Sequence, residues 1–443
     1  SAVGAGGGTV ELVASGTLAN GQTVIIQSDG TVAGIATTGA TQAVGSESVF
    51  EGSSRVTYTN ATFDSNNNKV VIAYTDQDNS YYGTAVVGTV TGTGITFGSP
   101  VVFETSHTKY PTAEFDSNVN KVVIAYEDSG DSDKGKAAVG TVSGDSITFG
   151  TPVTFESAGM YFVGTTFDTT NNKIIICYTF EGAEGRAVVG TVNAGTNTIS
   201  FGSPVSFLSE TASYPKVTYD SSNQKIVVVY RHNADSGKCK AVVGTVSGSS
   251  ISFGSAVDCN SSGASYTNVT YDSFNEKVVV MFMDDNNNNA VKTLVGTVSG
   301  NSITFGDTST VNVYGNQFTG IAYDSNARKV VITYQDGNDD GAINVGTVSG
   351  TSISFGSTVF YNTTVANYVS AAFDSSNNKV VVSYEGTSDD GTAVVFQPGF
   401  FQTTLTSDNF LGFSDASYTN GQTATIQIAG AVDDAQSGLT TGS

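Results

Sequence analysis

The sequence predicts an all-β protein: a seven-bladed β-propeller of four-stranded antiparallel blades, closed by an N-terminal strand in the last blade and flanked by small β tails. Three observations predict it. The first is composition: the 443-residue chain holds seven leucines and no tryptophan, and its apolar content is carried by Val, Ile, Phe and Tyr. Those residues suit a pleated, half-buried surface. Glycine, at 51 residues, is well above the usual share of about 7%, and no segment shows helical apolar periodicity. The second is a phrase, aromatic–Asp–(Ser/Thr)–x–x–x–Lys–(Val/Ile)–(Val/Ile), that recurs seven times. Its aspartates are Asp64, Asp116, Asp168, Asp220, Asp272, Asp324 and Asp374, spaced by 52 residues five times and then by 50. The third is that the two ends of this array complement each other.

Each unit divides into four strands. In the first unit, a strand ends at Asn60–Phe63, and a polar turn, Asp64–Asn68, leads into a second strand, Lys69–Tyr74. An acidic loop follows, then a third strand carrying Val87-Gly88-Thr89-Val90. A Gly-rich turn leads to a fourth strand around Ile95–Phe103, with Phe97-Gly98-Ser99-Pro100 inside it. Four short antiparallel strands about every 50 residues make a propeller blade. A lone blade cannot bury both faces, whereas a ring of blades can. The seventh unit lacks a Phe-Gly-Ser strand. Residues 44–51, Val-Gly-Ser-Glu-Ser-Val-Phe-Glu, match Phe97–Glu104 and precede the first unit. Residues 43–51 are therefore expected to supply the outer strand of the last blade, which removes the open edges of an unclosed array. The domain reading is an N-terminal tail, 1–42, a propeller, 43–397, and a C-terminal tail, 398–443. The tails share a phrase, Asn20-Gly21-Gln22-Thr23 and Asn420-Gly421-Gln422-Thr423. They are expected to form one small β-domain or to pair with neighbouring copies.

Charged residues are 13% of the chain, and the formal net charge is −22. Such a surface repels phosphate backbones and anionic membranes, so neither nucleic acid nor membrane insertion is expected. No run of apolar residues is long enough to span a bilayer. Of the three cysteines, Cys177 lies in an apolar strand and reads as a small buried hydrophobe. Cys239 and Cys259 could form a disulfide, but their separation in space is not legible from spacing.

Three sets of residues invite a functional reading. The repeated Asp–Lys pair reads as a hairpin turn, because catalysis seldom needs one pair seven times and Asp is favoured in turns. Acidic loops follow the second strands, and Asp128, Asp131 and Asp133 in one, with Asp336, Asp339 and Asp340 in another, are candidate calcium ligands. Solvated loop charge is the competing reading. Six residues before each repeat aspartate stands an aromatic: Tyr58, Tyr110, Phe162, Tyr214, Tyr266, Phe318 and Tyr368. If the first strand is innermost, these rings encircle one mouth of the channel and form a candidate glycan site, against the alternative that they plug gaps between blades. No nucleophile elbow, metalloprotease helix motif or phosphate loop is present, so no catalytic residue and no cofactor other than calcium is assigned.

Two stretches carry a resemblance. Phe115-Asp116-Ser117 to Tyr126 with Ala138–Gly144, and Asn409–Asp415 continuing to Val432–Thr440, resemble repeat-containing structural proteins of marine tailed phages, of the tail-fibre-like or decoration type. The resemblance implies a virion fibre, decoration or adhesin role and carries over no catalytic residue. The expectation is a non-catalytic extracellular structural and adhesive protein, displayed on a virion or a cell-surface filament, that assembles through residues 1–42 and 398–443. A lectin-like propeller that binds cell-surface glycan is the alternative, and a propeller glycoside hydrolase is the second alternative.

Overall fold

The computed structural model describes residues 8–403 and 409–428. These residues form strands and turns, with one single-turn 3-10 helix at Ser129–Asp131. The chain divides into two compact units, residues 42–398 and the two termini together, 1–41 with 399–443.

The larger unit repeats one antiparallel sheet. In unit three the first strand, Met160–Asp168, pairs with the second, Lys173–Phe180, and that pairs with the third, Glu184–Asn193. The outer strand differs from expectation. It is broken into Thr198–Phe201 and Val205–Leu208, both paired to the third strand. Between them stand Gly202, Ser203 and Pro204. Proline has no N–H to give to a ladder. The glycine is needed for a second reason, because a Cβ on Gly202 would sit 1.8 Å from the carbonyl oxygen of Ser249 in the next unit. The break therefore lets consecutive units approach. In two places the outer strand also runs straight into the next first strand, giving the 16-residue strands Val101–Asp116 and Val257–Asp272.

The hairpin turns explain the repeated Asp and Lys. Asp168 is buried, and its carboxylate accepts from the backbone N–H groups of Thr170 and Asn171, each at 3.0 Å, and from the Asn171 side-chain amide at 2.8 Å. The residue before each lysine (Asn68, Asn120, Asn172, Gln224, Glu276, Arg328, Asn378) has a positive φ, which completes the turn. The lysine does not pair with its aspartate through side chains. In units one to four and six it reaches the Thr of the third strand, at 2.6–2.8 Å.

The second strands are near-continuous apolar runs because both of their faces are covered. Val70, Ile72 and Tyr74 face the seventh unit, packing with Val381 and Val395, while Val71 and Ala73 face the second, packing with Val122 and Ile124. Seven buried clusters of this kind lie between successive units, and one of them joins the seventh unit to the first. In the seventh unit the third strand, Gly391–Gln397, takes its outer partners from the N-terminal side: Ala43–Val44 and Ser48–Glu51.

The smaller unit is a five-stranded sheet in the order Thr9–Val13, Thr423–Gln427, Phe410–Ser414, Thr23–Ile26, Val32–Gly34. The shared phrase is used twice in the same way. Gln22 accepts from the N–H of Ala19 at 2.8 Å, and Gln422 from that of Thr419 at 2.7 Å. Gly21 donates to Ser414 and Gly421 to Ala14, both at 2.8 Å. Leu18, Val24, Val32, Ala424 and Ile426 form its core.

Candidate functional site

The first strands line two adjoining cavities and lean on one another through side chains that each unit sends to the next. Thr59 donates to the carbonyl of Tyr368 at 2.6 Å, Thr319 to that of Tyr266 at 3.0 Å, and Asn60 accepts from the N–H of Ala113 at 2.8 Å. Near its start, each first strand carries a bulge. The aromatic six residues before the repeat aspartate sits in that bulge every time. Tyr58, Tyr110, Phe162, Tyr214, Tyr266, Phe318 and Tyr368 all have left-handed backbone conformations, with φ between 48° and 55°. Few non-glycine residues adopt this conformation, and bulky ones rarely do.

The bulge turns each ring inward and toward its neighbour. Consecutive ring centroids lie 4.4–6.0 Å apart, and Tyr368 lies 4.9 Å from Tyr58, so the seven form a complete circuit. The contacts are tilted or edge-on, the geometry that ring quadrupoles favour. The rings are half-buried, and all seven line a single cavity of about 410 Å³. They thus converge on one mouth and do not present seven separate sites. Burial raises the phenol pKa of Tyr58, and pushes those of Tyr266 and Tyr368 up to about 12, so these hydroxyls stay neutral.

Behind the rings lies a second, polar cavity of about 270 Å³ that shares Thr59, Asn60, Thr112, Lys216 and Asn268 with the first. Glu114 and Lys216 are the charged side chains among its described lining residues. Burial pushes the Glu114 carboxyl up to about 8, opposed by the N–H of Phe115, and lowers the Lys216 ammonium. Lys216 donates to the carbonyl of Val163 at 3.1 Å. Sequence reasoning missed both residues. The available signal was their departure from the repeat: the other units carry Asn, Thr, Gly or Ser where Lys216 stands, and Thr or Ala where Glu114 stands.

Among the described residues, no group of three or more His, Cys, Asp or Glu side chains is placed to hold a metal ion. Asp128 and Asp131 are instead engaged by Lys136, at 2.5 and 3.1 Å, and Asp131 also by Lys134 at 2.8 Å. Asp133 joins neither of these ion pairs and supplies its carbonyl to the N–H of Met160. Asp336 accepts from the N–H groups of Asn338 and Asp340, and Asp339 accepts from the side chain of Asn316. In these loops Asp128, Asp131, Asp336 and Asp339 accept from lysines, backbone N–H groups or an amide.

No protein-family model and no curated protein matches the chain. Among solved structures it is similar to the BP39L lectin from Burkholderia pseudomallei, with a TM-score of 0.60 and 10% identity over 79% of this chain and 98% of that one. It is also similar to a protein from Lactobacillus plantarum, with a TM-score of 0.50 and 11% identity over 69% of this chain and 84% of the other. A third is the intramolecular trans-sialidase from Ruminococcus gnavus, with a TM-score of 0.47 and 9% identity over 79% and 97%. At such identities the first two likenesses are of fold alone, and they place the chain among all-β, propeller-like structures.

Proposed function

We propose that the chain closes into a seven-bladed β-propeller and serves as a non-catalytic, extracellular adhesion module that binds carbohydrate at its aromatic mouth. Closure is supported by the clasp at residues 43–51, by the buried cluster between the seventh and first units, and by the unbroken circuit of rings. Gly45 adds to it. A Cβ there would lie 1.7 Å from the carbonyl oxygen of Thr93 in unit one, the same close approach that Gly98 makes to Asp145 of unit two.

The observation that carries the functional reading is the seven strained aromatics around one cavity. Holding a non-glycine residue in the left-handed region costs of order 1 kcal/mol, and such strain collects at ligand-binding sites. The C–H faces of a pyranose ring suit the negative faces of Tyr and Phe. Asn60, Thr112 and Asn268, just behind the rings, offer amide and hydroxyl groups to sugar hydroxyls. That combination of aromatic walls and a few convergent polar groups is what small-ligand sites use. A lectin is among the structures of similar fold. The non-catalytic reading is supported by the two charged channel residues, which bond to backbone groups, Lys216 to the Val163 carbonyl of the preceding unit and Glu114 to the N–H of Phe115.

The test is a glycan array followed by titration calorimetry on the full chain. A saccharide that binds the wild type is expected to lose about 3- to 10-fold in affinity with Tyr214→Ala, the worth of one aromatic contact. Binding that is unchanged in Tyr214→Ala and in Tyr58→Ala would remove the mouth as the site.

A second reading, a structural subunit of a virion fibre, decoration or surface filament, is favoured by the terminal unit. Among the described residues its outermost strands, Thr9–Val13 and Val32–Gly34, meet each other only through the Ala14–Val32 bridge, and the unit exposes Val13, Ile26 and Phe410. Exposed edges and apolar side chains invite pairing with other chains. Fibres or symmetric oligomers of the full chain in negative-stain microscopy, abolished by Val13→Lys with Phe410→Lys, would favour this reading; single particles throughout would oppose it.

A further inference from the structure

One position pair in the repeat changes in a coordinated way. In five units a glycine of the third strand lies under an aromatic of the outer strand: Gly83 with Phe103, Gly135 with Phe155, Gly185 with Phe207, Gly341 with Tyr361 and Gly391 with Phe50. A Cβ on any of these glycines would fall 2.2–2.5 Å from the ring, so the two side-chain positions claim the same space. In unit five, the pair is Val291 and Val311, both in one apolar cluster. In unit four it is Cys239 and Cys259, both buried and in one cluster. Where the ring is lost, both positions change together, as shared space requires.

The local register brings the two sulfurs together. Lys240 pairs with Asp258, so Cys239 and Cys259 stand opposite on the next rung, beside a bulge closed by the pairing of Lys238 with Gly263. Asn260 accepts from the N–H of Cys239 at 2.9 Å and fixes the turn of the outer strand. Both side chains are buried and lie in one cluster with Val257. Cys177 is buried in a different cluster, between units three and four.

We propose that Cys239 and Cys259 form a disulfide that fastens the outer strand of unit four to its third strand. The reaction is a two-electron oxidation by a small-molecule disulfide such as oxidised glutathione. One cysteine thiolate attacks the glutathione disulfide and releases a glutathione thiolate. The second cysteine then displaces the other glutathione from the mixed disulfide. Two protein thiol protons and two electrons leave, and two glutathione thiols form. Both cysteines are buried in the folded chain, and a buried thiol in apolar surroundings is out of reach of an oxidant and reacts slowly. The bond therefore forms before the outer strand docks, during folding in an oxidising compartment.

The test compares full chain exported to a bacterial periplasm and purified without reductant with chain made in a reducing cytosol. Both are denatured, alkylated without reduction and mapped by mass spectrometry. The expected result for exported chain is alkylation at Cys177 alone, with the 239 and 259 peptides joined and two hydrogen masses missing. Reductant then lowers its melting temperature by several degrees. Cys239→Val with Cys259→Val, which copies unit five, folds and melts at a temperature that reductant does not change. Alkylation of all three cysteines in folded exported chain, a link that includes Cys177, or glutathione retained on either cysteine would overturn the proposal.

Discussion

The hairpin end of the channel and its wall are built from the same first strands, four residues apart, yet they follow opposite rules. At the hairpin end the residue is Asp in every unit, and it does the same work, capping its own turn with backbone N–H bonds. On the wall the residues in chain order are Asn60, Thr112, Gly164, Lys216, Asn268, Gly320 and Ser370, and no two neighbouring units agree. A turn is satisfied by its own few residues, so one solution can be copied without limit. A channel wall faces six other units, where seven copies of a bulky or charged group would collide or repel. The aromatic mouth combines the two rules: one residue type repeated around the ring, tolerated because tilted rings can pack on one another.

Breaking the repeated turn should cost the most. Asp168→Ala leaves two part-buried backbone N–H groups and the Asn171 side-chain amide without their charged acceptor and is expected to lose ~3 kcal/mol of stability in denaturant unfolding. Asp168→Asn keeps an acceptor and should lose less than half of that. A loss within error for Asp168→Ala would mean that the turn is held by its flanking strands alone.

The channel wall should show its individuality through pH. The Glu114 carboxyl has a folded pKa near 8 against an ordinary 4.5. The folded chain thus holds that proton more tightly than the unfolded chain. The stability it contributes is full below about pH 4.5 and falls as the pH rises through 8. Glu114→Gln should flatten this slope by on the order of 2 kcal/mol. Glu127 and Glu385, both pushed up to about 7 by burial, leave a residual slope of the same sign. Parallel pH profiles for Glu114→Gln and wild type would show that the channel solvates its carboxylate fully.

The smallest effect belongs to the mouth. Units three and six already use Phe162 and Phe318 there, so Tyr214→Phe should change the melting temperature hardly at all, within ~0.5 kcal/mol. It should also keep saccharide affinity if ring faces supply the contact. A large loss of affinity would instead assign the recognition to the phenol hydroxyl.

The strands and turns were legible because their signals are short-range. The Asp-to-Lys turn and the apolar run after it lie within a dozen residues, and the structure places a hairpin at each of the seven. The outer strand was read as continuous and is broken, because Phe-Gly-Ser-Pro looks like strand by composition while Pro204 and the close approach of Gly202 to Ser249 are tertiary matters. In the acidic loops, spacing shows the carboxylates and not the lysines that meet them, such as Lys136 on the following strand.

By itself the sequence determined the repeat, the strand order within a unit and the aromatic position, since each follows from hydrogen bonding and period-two burial inside one unit. Only the tertiary structure decided that the seven rings touch in a circuit, that Glu114 and Lys216 share a cavity, and that Cys239 faces Cys259. The rings and the charged pair belong to different units, about 50 or more residues apart, and the cysteines meet across a bulged register. Contacts of that kind arise from the packing of whole sheets, so even the periodic aromatics mark where each ring stands and not which ring it touches.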